Sequence, residues 1–258
     1  MKEKLKKLYI TAVLLFMYLP IIVLMVYSFN DSRLKMSWQG FTFKWYGELF
    51  RNEEILSSMY YTIIIALGAT MIATILGTLA AIGIYYMGHW KRTVFLEINY
   101  IPVLNPDIVT AVSLMVLFRL MRLEFGLTSL LLSHIVFTTP YVLLSVLPKL
   151  KQMSRALPEA AMDLGATPGT TFFQIILPEI KPGIISGALL AFTLSLDDFV
   201  ISFFNTGQGI QTLPVTVYSM AKKGINPAIN AISTIVFVAI LALLLIINKR
   251  SDIIEEEV

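Results

Sequence analysis

The chain has no cysteine, which excludes a disulfide framework, a thiol nucleophile and a cysteine-ligated metal site. Histidine is scarce too: only His89 and His134 occur, and neither belongs to a His-Glu-x-x-His sequence. No glycine is followed by lysine, so there is no Gly-x-x-x-x-Gly-Lys-[Ser/Thr] loop and no route to ATP hydrolysis through one. Serines and threonines are scattered through apolar stretches without a paired base, and no enzyme constellation assembles. Charge is sparse as well, with Asp, Glu, Lys and Arg forming 14% of the 258 residues.

What fills the chain is apolar. Hydrophobic residues make up 57% and the mean hydropathy is +0.76, more than a soluble domain of this length hides in one core, so the solvent of this protein is lipid. A hydrocarbon core of about 30 Å needs about 20 apolar residues per helix. Six runs meet that length: 8–28, 58–84, 94–118, 128–147, 183–204 and 231–248. The expectation is an all-α integral membrane protein, one transmembrane domain over 1–258, with a long inside loop at 148–182. The Lys-rich start (Lys2, Lys4, Lys6, Lys7) looks like that of a signal peptide. The run from Leu8 to Phe29 is nevertheless too long for a signal h-region and lacks a small-x-small site before Asn30, so it is read as a retained first span.

With the N-terminus inside, six spans put twelve of the 20 Lys and Arg residues on the inner side, which favours both termini in the cytoplasm. Basic flanks on membrane helices also explain the net charge of +3 without nucleic acid.

The 148–182 loop carries its own punctuation. Pro158 suits a first helical position, Glu159 favours a helix start, Gly165 suits a left-handed stop, and Thr167-Pro168 repeats a cap-plus-proline signal. A short helix over 158–166 is predicted, about 10 Å long at 1.5 Å per residue. It presents Glu159, Ala160, Ala161, Met162 and Leu164 outside the bilayer. Composition leaves two readings open: a docking surface for another protein, or an amphipathic connector on the membrane surface.

Glu159-Ala160-Ala161, Gly165 and Ile175-x-Leu177-Pro178 match in type and spacing the E-A-A, three residues, G, nine residues, I-x-L-P motif. In this the chain resembles the permease subunits of bacterial ABC importers. Ser28-Phe29-Asn30, Trp38-Gln39-Gly40-Phe41, Lys44-Trp45-Tyr46, Pro106-Asp107-Ile108-Val109 and Phe192 through Asp198 extend the resemblance over nearly the whole chain, to the PotC-type permeases of spermidine/putrescine importers. The resemblance implies the type I permease fold of six helices. It also implies a heteromeric polyamine importer: a second permease, a homodimer of a cytoplasmic ATPase that binds the ATP and Mg, and an extracytoplasmic polyamine-binding protein. By the same resemblance Glu159, Ala160, Ala161 and Gly165 belong to a coupling helix that docks in a groove of the ATPase.

The chemistry left in the membrane is acidic. Glu97, Asp107, Asp197 and Asp198 lie within the runs, while Arg119 falls just past the third. Each carboxylate near the bilayer centre costs about 2.5 to 3.5 kcal/mol on insertion scales, so such groups face a cavity, a partner or a substrate. Acids without matching bases suit a polyamine, with charge pairing for its ammonium groups and aromatic or apolar contact for its methylenes. Glu97, close to Lys91 and Arg92, reads as solvated. Asp107 and Asp197 each lie thirteen residues into their runs, about 20 Å along a straight helix, which predicts one acidic layer.

In the fifth run Gly183, Gly187, Ala191 and Ser195 form a small-residue stripe. Asp198 falls at about 60° on that wheel, inside the stripe, and Asp197 about 100° from Asp198. If the stripe faces the second permease, Asp198 lines the pathway; the alternative is that Asp197 or Asp198 bonds within its own subunit. Pro102 and Pro106 predict an irregular helix before Asp107. A second stripe, Ala69, Ala73, Gly77 and Ala81, reads as close helix packing. His134 reads as a neutral imidazole bonded to a neighbouring helix. The aromatics Trp38, Phe41, Phe43, Trp45 and Tyr46 read as an interfacial belt, and the tail Glu255-Glu256-Glu257 as a solvated end.

Overall fold

Apolar runs this long satisfy their backbone groups in lipid by coiling into helices. The computed structural model describes residues 2–32, 37–154, 156–223 and 227–256, with side chains for 4–32, 37–154, 156–222 and 227–242. Arg33, Lys35 and Arg155, the side chains of Lys2, Lys223, Lys249 and Arg250, and the acidic tail therefore lie outside what is described. Among the described residues the regular structure is helical, apart from isolated bridges between Asn30 and Phe41 and between Gly207 and Ile210.

Residues 57–215 form one unit. Its long helices are α3 (Glu53–Tyr86), α6 (Leu127–Gln152) and α9 (Leu177–Asp197). Helix α6 is the post around which the others are arranged. The stripe of α3 lies against it: a Cβ at Gly77 would stand 2.7 Å from Val142 Cβ, and Ala69, Ala73 and Ala81 are fully buried. The stripe of α9 meets α6 as well. A Cβ at Gly183 would stand 3.0 Å from the Ser145 carbonyl oxygen, and one at Gly187 would stand 3.1 Å from Val142 Cα. In lipid, where apolar burial drives little association, such close backbone approach supplies the contact area. The packing expected of the α3 stripe is found, and the α9 stripe is a second case of it, inside one chain.

Two expected runs are broken. The run 94–118 is α4 (His89–Leu104) and α5 (Asp107–Leu120), bent by 104° at Asn105-Pro106. Asn105 has extended torsions, φ −76° and ψ 145°, as the residue before a proline prefers. The irregularity expected before Asp107 is thus a full corner, and it removes the straight-helix measure behind a single acidic layer. The run 183–204 instead ends at Asp197 and resumes after a break as α10 (Val200–Asn205).

The polar connector 148–182 is largely helical. Helix α6 runs through Pro148 to Gln152, α7 (Ala156–Asp163) follows, and helix resumes at Pro168 with α8 (Pro168–Thr171) and a wide π turn, Phe172–Ile176, leading into α9. In that turn the Leu177 N–H donates to the Phe172 carbonyl, one residue further back than in an α-helix. Such turns make room where a helix is disturbed, here just before Pro178. Polar residues such as Glu179 and Lys181 interrupt the apolar run without stopping the helix.

Among the described residues four helices are long and apolar enough to cross a membrane, or five if the bent pair is one span. The sixth expected run falls within α12 (Ala228–Glu256), a 29-residue helix.

The other unit comprises residues 1–56 and 216–258. Helix α1 (Lys2–Tyr27) is 26 residues long and continues through Pro20. Beyond it, Asn30 organises the chain: its Nδ2 donates to the Ser37 carbonyl (2.8 Å) and its Oδ1 accepts from the Gln39 N–H (2.8 Å). The Trp45 indole N–H donates to the Asn30 carbonyl at 2.7 Å, from the short helix α2 (Lys44–Leu49). Trp45 is therefore core and not part of a belt. Phe29, Phe41, Phe43 and Tyr46 pack ring against ring, with Phe29 and Phe41 stacked at 5.2 Å. Phe41 and Phe43 stay exposed at the outer side of this cluster.

Candidate functional site

Helix α7 begins two residues before Pro158, which then occupies the third helical position. Its missing N–H costs nothing there, because the first four N–H groups of a helix have no partner inside it. The stop is the one expected. Gly165 has φ +91°, its N–H donates to the Met162 carbonyl (2.9 Å), and the Ala166 N–H reaches back to Ala161 (3.0 Å). This pair of bonds defines a Schellman ending, and only glycine takes the left-handed position freely. Thr167 then caps α8, accepting from the Thr170 N–H at 3.2 Å.

Between these fixed ends α7 presents Glu159 and Ala160, exposed, and Ala161, half-buried. Met162 is also exposed, and Leu164 is 91% exposed. Burying a leucine fully is worth about 1.5–3 kcal/mol, so an uncovered apolar tip of this kind has affinity to offer whatever covers it.

The second locus is the break between α9 and α10. Asp198 leaves the helix with φ −62° and ψ 123°, and its carboxylate turns onto the start of α10. Oδ1 accepts from the Ile201 N–H (3.1 Å) and Oδ2 from the Ser202 N–H (2.7 Å), satisfying donors that a helix start leaves open. Across from it, on α6, the His134 ring places Nδ1 2.7 Å from Ser195 Oγ and Nε2 3.0 Å from Ser202 Oγ. Nε2 also lies 3.7 Å from Asp198 Oδ2. His134, Ser195, Ser202 and Asp198 are all buried. The imidazole bonded to a neighbouring helix is thus present, with contacts to two helices. Helix α10 is pinned further: Asn205 Nδ2 donates to the Ala111 carbonyl of α5 (3.2 Å), and Ser129 Oγ of α6 donates to the Asn205 carbonyl (2.8 Å).

The structure therefore separates the three aspartates. Asp198 is held inside its own chain, the alternative left open by the sequence. The wheel that put it on the pathway assumed a helix continuing through residue 198 and a stripe facing outward, whereas the helix stops and the stripe faces α6. Asp197, its neighbour, is exposed, and so is Asp107 in the first turn of α5. The His134 contacts were missed because nothing in sequence links a histidine to serines more than sixty positions away. The cap was readable: an aspartate followed by the apolar run Phe199 to Phe204 is a helix-start signal.

A family model, binding-protein-dependent transport system inner membrane component, matches residues 73–253. The spermidine/putrescine transport system permease protein PotC of Escherichia coli (strain K12) is 41% identical over 242 residues, covering 94% of this chain and 91% of that protein. The putrescine transport system permease protein PotI of the same strain is 42% identical over 232 residues, covering 87% and 83%. Among solved structures, a chain of a bacterial ABC transporter involved in import of the acidic polysaccharide alginate aligns with a TM-score of 0.76 at 14% identity, over 96% of this chain and 95% of that one. A chain of the MetNI methionine ABC transporter, in inward-facing form, aligns with a TM-score of 0.63 at 20% identity, over 81% and 96%. These two structures share the fold alone. The family match and the identity sustained along the chain place it in the family of binding-protein-dependent transport system inner membrane components.

Proposed function

We propose that this chain is one of two permease subunits of an ATP-driven importer that moves polyamines, spermidine or putrescine, across the cytoplasmic membrane. The observation that carries the cargo is the 41% identity, along 94% of the chain, to a permease named for spermidine and putrescine. Two features of the chain support it. Helix α7, with Glu159, Ala160, Ala161 and Gly165, is shaped as a docking element for an ATPase homodimer, which binds ATP and Mg. Asp107 and Asp197 are exposed carboxylates in an apolar setting, the chemistry an ammonium group seeks. Asp198 contributes to the pathway by capping α10.

In this reading both termini lie in the cytoplasm, with α7 on the same side. An extracytoplasmic binding protein delivers the polyamine to the opposite face. Closure of the ATPase pair pulls α7, the helices open outward, and the cation passes between the two permeases along Asp197 and Asp107. Reconstitution in proteoliposomes tests this: the chain with its co-encoded permease, ATPase and binding protein should take up labelled spermidine only with ATP, in competition with putrescine. An intact complex that hydrolyses ATP without moving either polyamine would overturn the cargo and leave the coupling role.

A further inference from the structure

At the end of α6 remote from α7 lies an open cavity of 580 Å³, lined by Met115 and Arg119 of α5, by Phe125, by Phe204 of α10, and by the turn after it, with Gln208 and Gln211. Its walls are closely tied backbone. The turn closes with the bridge between Gly207 and Ile210 and with Thr206 Oγ1 donating to the Ile210 carbonyl. It presses on the loop before α6 so closely that a Cβ at Gly207 would stand 1.9 Å from the Phe125 carbonyl oxygen. Arg119 is the one charged residue of the lining. It is exposed, and among the described residues its guanidinium has neither an ion pair nor a hydrogen bond.

A guanidinium is a rigid fork of donors that matches a carboxylate, and the amides of Gln208 and Gln211 add donors in the same cavity. Phe125, Phe204 and Met115 supply apolar wall for the methylenes that carry such a group. An ammonium group is repelled beside Arg119, so the cavity is no station for the cargo. Helix α6 is 26 residues long, about 39 Å at 1.5 Å per residue, enough to cross a bilayer. With α6 as a span, the cavity and α7 lie on opposite sides of the membrane.

We infer that this cavity is the socket for an acidic side chain of the extracytoplasmic binding protein, and that Arg119 takes its carboxylate. Charge complementarity selects this occupant: a protein that carries polyamines holds them with carboxylates, and the rim it turns toward the permease is acidic for the same reason. The inference rests on the importer reading above and adds the contact by which the delivering protein is held.

The test uses the complete transporter in vesicles of neutral lipid and titrates the co-encoded binding protein against ATP hydrolysis, reading the concentration that gives half-maximal stimulation. Arg119→Gln should raise that concentration about tenfold. Arg119→Lys, which keeps the charge without the fork, should recover part of the loss. Gln208→Glu, which sets a competing carboxylate in the cavity, should raise it several-fold. Added salt should narrow the gap between wild type and Arg119→Gln. Arg122→Gln, outside the lining, should stay within about twofold of wild type.

Equal losses at Arg119 and Arg122 would reduce the effect to diffuse attraction and overturn the socket. An unchanged half-maximal concentration in Arg119→Gln overturns it too. Should that variant instead lose a stimulation by anionic lipid, the cavity belongs to a lipid phosphate; should it only melt lower, Arg119 serves the end of α5. If Arg119→Gln does not assemble, Gln208→Glu decides, and an unchanged value there overturns the inference equally. A wild-type transporter that the binding protein does not stimulate would overturn the importer reading and this inference with it. Stimulation that Arg119→Gln weakens, without polyamine uptake, would overturn the cargo and uphold the socket.

Discussion

Gly187 of α9 and Val142 of α6 are in backbone contact: a Cβ at Gly187 would stand 3.1 Å from Val142 Cα and 3.2 Å from its Cγ1. The same valine also receives Gly77 of α3, where a Cβ would come within 2.7 Å of Val142 Cβ. A side chain at either glycine forces two helices apart, and overpacking of this kind costs about 1–3 kcal/mol. Gly187→Leu should therefore lower the thermal unfolding midpoint of the purified complex by several degrees. Gly83→Leu, on α3 with open space at its Cβ, should leave it nearly unchanged, and equal shifts would contradict the packing described.

Helix α7 makes a different prediction. Gly165 has open space where its Cβ would be, so substitution there strains the backbone and crowds a docking partner without disturbing the chain's own core. Gly165→Ala should cost about 1 kcal/mol. Glu159→Ala combined with Gly165→Trp should cut ATP-dependent uptake at least about tenfold, the scale of losing 1.4 kcal/mol or more at a docking surface. The amount of chain in the membrane should not change. Wild-type uptake by the double variant would remove α7 from the coupling path.

Asp197 and Asp198 should part company under the same substitution. Asp198→Asn exchanges a charge-assisted cap for a neutral one and replaces an oxygen acceptor with an amide donor beside two N–H groups. A stability loss of about 1–3 kcal/mol follows, visible as a lower unfolding midpoint. Asp197→Asn should leave that midpoint unchanged and reduce spermidine uptake. A stability loss at Asp197 with none at Asp198 would reverse the assignment.

In the other unit, Trp45→Phe keeps an aromatic ring, deletes one donor and leaves a gap where the larger indole was buried. The Asn30 carbonyl loses its indole partner, and Asn30 is 1% exposed, so water does not replace it. The expected cost is about 1–3 kcal/mol, while Trp38→Phe, at an exposed site, should be neutral in the same melting experiment.

Much of this architecture is legible in the residues, and the illegible part has physical causes. Helix presence follows from apolar runs of bilayer length, and the ends of α7 follow from Gly165 and Thr167, because caps are local chemistry. The stripe on α3 announces close packing, since small residues at every fourth position have few other uses in lipid. The stripe on α9 looks the same and was open to a second reading, because a wheel says which residues share a face and not what lies opposite. The corner at Asn105-Pro106 was half visible: prolines mark a disturbance, but its size depends on how α5 packs with α10. The bridge from His134 to Ser195 and Ser202 is tertiary in origin, and no spacing rule reaches across it.

The π turn at Phe172–Ile176 has one more consequence. Each such turn holds one residue beyond the α-helical count, so a helical wheel drawn straight through it falls out of step by about 100° between the residues before it and those after it. The extra residue is absorbed by widening the turn, so removing a single residue there, Gln174 for example, should tighten it to an ordinary α turn and leave the Thr167–Thr171 end aimed nearly as before relative to α9. The shaft between α7 and α9 thus carries a place where the chain can lose one residue without turning either end.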